Sequence, residues 1–228
     1  MIVRACSVSW PCPGPAGKSD EYALVIDRDR AKRLLIVPPL FDEANRMRRM
    51  LADAMRLLDK AGIDSFLPDL PGCNESLQTF SAQSLHGWRS AMHHAARHFA
   101  VTNVLGVRGG ALVFPLTLPG IVLEPAKGPT ILRQLLRART IAAREAGQHE
   151  DMATLLETGR TQGLELAGYR CGASLIAGLE NALPELESQR IIMQGELGGG
   201  GLWLRAEPAA APEQSANLAR LIAGELLP

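Results

Sequence analysis

The segment at residues 101–114 has the residue types and spacing most suited to chemistry. It begins with the β-branched and apolar run V-T-N-V-L, which predicts a strand. It continues with the turn sequence G-V-R-G-G and ends with A-L-V-F, which predicts the start of an apolar helix. A strand, a glycine-rich turn and a helix form the setting of the G-x-S-x-G elbow, where a serine hydroxyl attacks a carbonyl carbon. Here the central position is Arg108, whose guanidinium stays protonated and cannot attack a carbonyl. The pattern therefore predicts a hydrolase-type corner that lacks its nucleophile.

A serine hydrolase also needs an acid after a later strand and a histidine after the last one. Glu124 follows the predicted strand at residues 120–123 and is the candidate acid. The chain has no histidine after His149, so none follows the last predicted strands. Two of the three catalytic parts are therefore missing from their expected places.

Two other side chains are weaker candidates for a catalytic nucleophile. Cys73 and Ser76 lie in the loop P-D-L-P-G-C-N-E-S, which follows a predicted strand at residues 63–67. A reactive thiolate needs a basic neighbour, and an ordinary turn role explains both residues as well. Asp69 in the same loop is either a functional acid or a residue that stabilises the turn.

Arg108 has two alternative roles if it is not a nucleophile. A guanidinium next to the N-terminus of a helix forms a site for a carboxylate, sulfate or phosphate. The alternative is an internal ion pair with Asp42, Glu43 or Glu124, because an unpaired buried arginine is costly. The residues predicted to bind an anionic small molecule lie at one edge of the predicted sheet: Arg108, Gly109, Asp42, Glu43, Asp69 and Glu124.

The sequence predicts neither a metal site nor a cofactor. His94 and His98 are four residues apart on a predicted helix, but no third ligand lies nearby, and a solvated helix face explains them better. The chain has 24 basic and 24 acidic residues, which argues against a nucleic-acid partner. No apolar run reaches the roughly 18 residues of a membrane span, no signal peptide is recognisable, and the four cysteines are scattered. We therefore expect a cytoplasmic protein without disulfides.

Strands and helices alternate through most of the 228 residues, which predicts a single α/β domain over 1–228 with right-handed crossovers onto a parallel sheet. Residues 11–18 are predicted as a loop, and residues 129–185 as a helical insertion or cap. Strands are predicted at 1–10, 21–27, 33–37, 63–67, 101–105, 120–123, 164–169, 190–194 and 201–205. Helices are predicted at 42–60, 84–99, 129–147, 173–183 and 215–227, besides the one after the glycine-rich corner.

Five separated blocks of the chain form one recognisable set: P-P-L-F-D-E-A-N-R-M-R-R-M (38–50), D-L-P-G-C-N-E-S-L-Q-T-F (69–80), G-V-R-G-G-A-L (106–112), L-E-P-A-K-G-P-T-I-L-R-Q-L-L-R-A-R (123–139) and L-E-L-A-G-Y (164–169). Together they resemble the exosortase A system-associated hydrolase 2 family, which is α/β-hydrolase-like. The chain departs from the family pattern at residues 42–45 and at Asn74.

The resemblance implies an α/β-hydrolase-like, doubly wound and mostly parallel sheet, with helices on both faces and a helical insertion before the last strands. It also implies a setting in bacterial exopolysaccharide or protein-sorting systems, with a possible protein partner there. With Arg108 at the nucleophile position, the leading hypothesis is a non-catalytic protein that binds an anionic ligand or has an accessory role. The alternatives are an active esterase or thioesterase with an atypical nucleophile, and an interaction protein whose pocket has collapsed.

Overall fold

The computed structural model describes residues 5–14 and 17–227. The strands are β1 (Cys6–Gly14), β2 (Gly17–Ile26), β3 (Arg33–Val37), β4 (Asp64–Pro68), β5 (Asn103–Val107), β6 (Gly120–Leu123), β7 (Leu164–Leu166), β8 (Tyr169–Cys171) and β9 (Arg190–Ile192). The α-helices are α1 (Asp42–Lys60), α2 (Leu85–His98), α3 (Gly128–Glu145), α4 (Met152–Gln162), α5 (Ala173–Asn181), α6 (Gln194–Leu197) and α7 (Pro212–Leu226).

The main sheet has the order β1-β2-β4-β3-β5-β6-β9. The strands from β4 through β3, β5 and β6 to β9 are parallel, whereas β1 and β2 run antiparallel to their neighbours. Parallel strands are buried on both faces, which explains why β3 is the continuous apolar run after its first arginine. The predicted doubly wound, mostly parallel sheet is confirmed.

Each face of the sheet has its own apolar core. On one face, α1 and α7 pack against side chains such as Ile36, Leu105 and Leu123. On the other face, α2 and the helices of the insertion cover Leu35, Val104 and Val122. Alternate residues of the same strands thus enter opposite cores, as the pleat of a strand requires.

The insertion between β6 and β9 contains α3, α4, the hairpin β7–β8 and α5. Its α4 begins at an N-cap aspartate, Asp151, that accepts a hydrogen bond from the backbone of Thr154. The single strand predicted at 164–169 is instead the short hairpin, because Ala167 and Gly168 both adopt positive φ and reverse the chain.

Three sequence predictions are wrong in ways that affect the site or the sheet edge. The predicted loop at 11–18 is mostly strand: β1 tolerates Pro11 and Pro13 because it is the edge strand of the sheet. Residues 1–4 of the first predicted strand, and residues 15 and 16, lie outside the described residues.

The other two corrections concern short 3₁₀ helices. The apolar helix predicted after the glycine-rich corner is a five-residue 3₁₀ helix, Arg108–Leu112, and Pro115 disfavours the helical conformation of the residue before it. The strand predicted at 201–205 is the 3₁₀ helix Leu202–Leu204, so the sheet ends at β9 within the described chain.

Candidate functional site

The corner between β5 and the 3₁₀ helix has the tight geometry of an elbow. Arg108 has φ of 53°, a backbone conformation that side chains other than glycine rarely adopt and that costs about 1 kcal/mol or more. Gly110 allows the corner to press against the end of β3, because a Cβ there would lie 2.5 Å from the carbonyl oxygens of Val37 and Pro38. Arg108 therefore stands at the position and in the strained conformation of an elbow nucleophile.

The Arg108 guanidinium is held by Glu43 from the start of α1. Its Nε donates to Glu43 Oε2 and its Nη2 to Glu43 Oε1, both at 3.1 Å. Its Nη1 donates to the carbonyl oxygen of Glu124 at 3.1 Å. The guanidinium carbon lies 4.2 Å from the ring centroid of Trp203, a cation–π contact. The side chains of Arg108 and Glu43 are only 12% and 15% exposed.

These contacts favour the ion-pair alternative over the anion site. Glu43 already occupies the forked edge of Arg108 that a bidentate carboxylate or phosphate would use. The short 3₁₀ helix also lacks the dipole of the longer helix that was predicted to follow the corner. An anionic ligand on Arg108 would have to displace the Glu43 carboxylate.

Asp42, next to Glu43, joins α1 to the insertion. Its Oδ1 accepts a hydrogen bond from the Tyr169 hydroxyl at 2.9 Å, and its Oδ2 lies 3.6 Å from Arg46 Nη2. Arg46 Nη1 in turn donates to the carbonyl oxygen of Trp203 at 2.9 Å. Burial, followed by the bond to Asp42, raises the pKa of Tyr169 above its ordinary value.

Within the described part of the chain, Glu124 makes no hydrogen bond or ion pair with a histidine, which a catalytic acid would have to orient. Its carboxylate accepts a hydrogen bond from the backbone N–H of Gln194, at the start of α6, while its carbonyl accepts from Arg108. Glu124 therefore ties the end of β6 to the end of β9.

Cys73 is poorly suited to nucleophilic chemistry. Burial, with smaller contributions from the charges of Asp69 and Glu21, raises the pKa of its thiol to about 12. A thiol with so high a pKa is almost entirely protonated near neutral pH, whereas catalytic cysteines have lowered pKa values.

Ser76 and Asp69 are engaged in the structure of the loop. The Ser76 hydroxyl donates to buried Glu21 at 2.9 Å and accepts from the backbone N–H of Gly72 at 2.7 Å. Asp69 Oδ1 accepts from Arg48 at 2.8 Å and from Asn74 at 2.7 Å. These bonds stabilise the loop through both residues, while Asp69 Oδ2 is buried without a hydrogen-bond partner among the described residues.

A pocket of about 310 Å³ lies above the corner, between the start of α1, helix α3 and the 3₁₀ helix that carries Trp203. Of the predicted binding residues, Asp42 and Glu43 line it, whereas Arg108 lies behind Glu43. Gly109 packs beneath Leu40 and Ile131, which also line the pocket. The apolar wall consists of Leu40, Ile131, Leu135, Ala138, Ala167 and Leu204. The polar lining residues are Asp42, Glu43 and Arg46 from α1 and Gln134 from α3, and the aromatic lining residues are Phe41 and Trp203.

Sequence reasoning missed Trp203, Tyr169 and Arg46 as parts of this site. Trp203 and Tyr169 lie in segments that the sequence predicts as strands, and Arg46 lies within the helix predicted at 42–60. The available sequence signal for Trp203 was a tryptophan in L-W-L after a run of glycines. Only the folded chain brings the Trp203 ring to Arg108, which lies 95 positions earlier.

The described residues contain no metal site. His93 and His94 each place Nδ1 2.9 Å from a carbonyl oxygen one turn earlier in α2. Within residues 5–14 and 17–227, His, Cys, Asp and Glu side chains do not gather into a group able to hold a metal ion. No helix in the same ranges combines the length and apolar character needed to cross a membrane.

No family model matches the sequence, and no curated protein matches it. Solved structures match the fold at low identity. A candidate hydrolase from Agrobacterium vitis S4 is 14% identical, with a TM-score of 0.57 over 98% of this chain and 100% of that one. A thermophilic esterase from Thermogutta terrifontis, solved with malate bound, is 15% identical, with a TM-score of 0.52 over 83% of this chain and 80% of that one. The parallel sheet, the strained corner after β5 and these structural neighbours together establish that the chain has the α/β-hydrolase fold.

Proposed function

We propose that this protein is a non-catalytic member of the α/β-hydrolase fold that binds a small molecule in the pocket above the Arg108 corner. The observation that carries the proposal is the bidentate pair between Arg108 and Glu43 at the nucleophile position. A side chain that is permanently charged and already paired neither attacks a carbonyl nor accepts a proton from water.

The enzyme alternative has less support. Esterase or thioesterase chemistry needs a nucleophile beside a base. Cys73 has a raised pKa, and the Ser76 hydroxyl donates to a carboxylate in a loop, with no imidazole to activate it. The collapsed-pocket alternative also has less support. The pocket still has a volume of about 310 Å³, which falls within the range of small-molecule sites, near its lower end.

The biological setting of the proposal rests on the sequence resemblance. An accessory role in an exopolysaccharide or protein-sorting system, a protein partner there and a cytoplasmic location are what the exosortase-associated family implies. Within the single domain 1–228, residues 129–185 would act as the cap, because α3 supplies much of the apolar wall of the pocket.

Turnover assays test the proposal directly. We expect wild-type protein to hydrolyse p-nitrophenyl acetate, p-nitrophenyl butyrate and an acetyl thioester no faster than buffer. Arg108→Ser is expected to remain inactive, because it supplies a hydroxyl without the histidine that would activate it. Cys73→Ala and Ser76→Ala are the controls. Wild-type turnover that disappears in either control variant would establish the enzyme alternative instead.

A further inference from the structure

The charged side chains around the pocket share one property: each already has a partner. Glu43 is paired with Arg108 through two hydrogen bonds. Asp42 accepts from the Tyr169 hydroxyl and lies near Arg46. Arg46 donates to the Trp203 carbonyl. The polar side of the pocket therefore offers hydrogen-bonding groups without an uncompensated charge.

The residues that α3 contributes to the pocket are apolar except for Gln134. Ile131, Leu135 and Ala138 lie one turn apart on α3 and present a continuous stripe to the pocket. Leu204 extends this wall at the rim, where it is 77% exposed. A molecule that covers these side chains removes apolar surface from water, which favours binding.

We infer that the ligand is an uncharged amphipathic molecule, an inference that rests on the proposed binding function. Its apolar part lies against Ile131, Leu135 and Ala138 of α3, and its polar end exchanges hydrogen bonds with Asp42 and Arg46 of α1. A ligand carboxylate or ammonium would lose its hydration without gaining a free opposite charge, so either ion binds more weakly than a neutral analogue of the same shape.

Three probes with one ring separate charge from shape: benzamide, benzoate and benzylamine. Their dissociation constants can be measured near neutral pH by NMR titration, following the indole N–H signal of Trp203. We expect benzamide to bind at least about fivefold more tightly than either charged probe. Tighter binding of benzoate or benzylamine by the wild-type protein would overturn the inference.

A matched pair of variants on α3 locates the site. Ala138→Trp fills the pocket and is expected to weaken benzamide binding by about tenfold or more. Ala142→Trp makes the same change one turn further along, at an exposed position outside the pocket, and is expected to leave binding unchanged. Equal binding by the two variants would overturn the inference, because benzamide would then be bound elsewhere.

Glu43→Gln tests the charge argument without filling the pocket. It keeps the size of the side chain but removes the negative charge that pairs with Arg108, so benzoate is expected to bind about fivefold more tightly than to wild type, and any change for benzamide is expected to be smaller. No gain for benzoate would contradict the inference. Absence of binding by all three probes would also overturn it, and neither result would alter the turnover test of the proposed function.

Discussion

At the residue scale, Arg108 shows how the side chain at the centre of an elbow decides what chemistry that corner can support. The corner keeps the strained φ of 53° that presents a side chain above the sheet edge. The side chain presented is a cation, and Glu43 neutralises it in a site where both are largely buried. Burial makes this pair sensitive to the loss of either member, because a buried charge without a partner is costly.

A double-mutant cycle measures that dependence. Arg108→Met keeps an unbranched chain against Trp203 but leaves the Glu43 carboxylate without its cation, and we expect a loss of about 3 kcal/mol in the free energy of unfolding. Adding Glu43→Met is expected to restore more than about 1 kcal/mol of that loss. Urea denaturation of the four proteins gives the values. Strictly additive effects would show that the two side chains do not stabilise each other.

At the element scale, the corner depends on how closely the backbone of β5 and its 3₁₀ helix approaches the end of β3. A Cβ at Gly110 would meet two backbone oxygens at 2.5 Å, and these belong to a buried strand end that cannot easily move. A Cβ at Gly109 would meet the side chains of Leu40 and Ile131 at 2.8 and 2.9 Å. Side chains can change rotamer, whereas the backbone of a buried strand cannot move easily. An added Cβ is therefore tolerated better at Gly109 than at Gly110.

The two glycines therefore form a matched pair for mutagenesis. Gly110→Ala is expected to destabilise the protein by about 3 kcal/mol, at the upper end of the range for overpacking. Gly109→Ala is expected to cost about 1 kcal/mol, with the pocket narrowed because Leu40 and Ile131 also line it. Thermal unfolding followed by circular dichroism distinguishes the two. The reverse order of stability would mean that the corner is not held by this backbone contact.

At the scale of the whole molecule, three thiols make stability depend on alkaline pH: those of Cys12 and Cys171 are buried, and that of Cys73 is partly buried. Burial raises the pKa of Cys12, Cys73 and Cys171 from 9.0 to about 12 in each case. At pH values between 9 and 12, the thiols of the unfolded chain release protons that the same thiols retain in the folded chain. The contribution of these thiols to stability is therefore complete below about pH 9 and is lost as the pH rises towards 12.

We predict that the free energy of unfolding falls between about pH 8 and pH 10, and that each of the three thiols contributes about 1 kcal/mol to this fall. Urea midpoints at the two pH values measure it. Cys171→Ala removes one titrating group, so its pH-dependent loss should be smaller by about 1 kcal/mol than that of wild type, whatever its stability at pH 8. An identical pH dependence in both proteins would show that the thiol is not buried as described.

Elements with strong periodicity were predictable to within a few residues. The apolar run at β3 and the 3-4 spacing of α1 each leave one structure that buries the side chains, and both have the predicted bounds. The predictions that failed depend on position in the fold. Pro11 and Pro13 indicate a loop unless the strand is at a sheet edge. Residues 201–205 contain a short apolar run, L-W-L, that resembles a strand, but they lie beyond the last strand of the described sheet.

By itself, the sequence determined the alternation of strands and helices, the glycine-rich corner after β5 and the absence of a nucleophile at its centre, because these depend on local residue types and their spacing. Only the tertiary structure decided which carboxylate pairs with Arg108. Asp42, Glu43 and Glu124 all follow strands that end at the same sheet edge, and side-chain direction selects Glu43. The tertiary structure also places Trp203, from the segment after β9, on the guanidinium and α3 of the insertion beside the pocket, because contacts between segments distant in the sequence depend on how the whole chain folds.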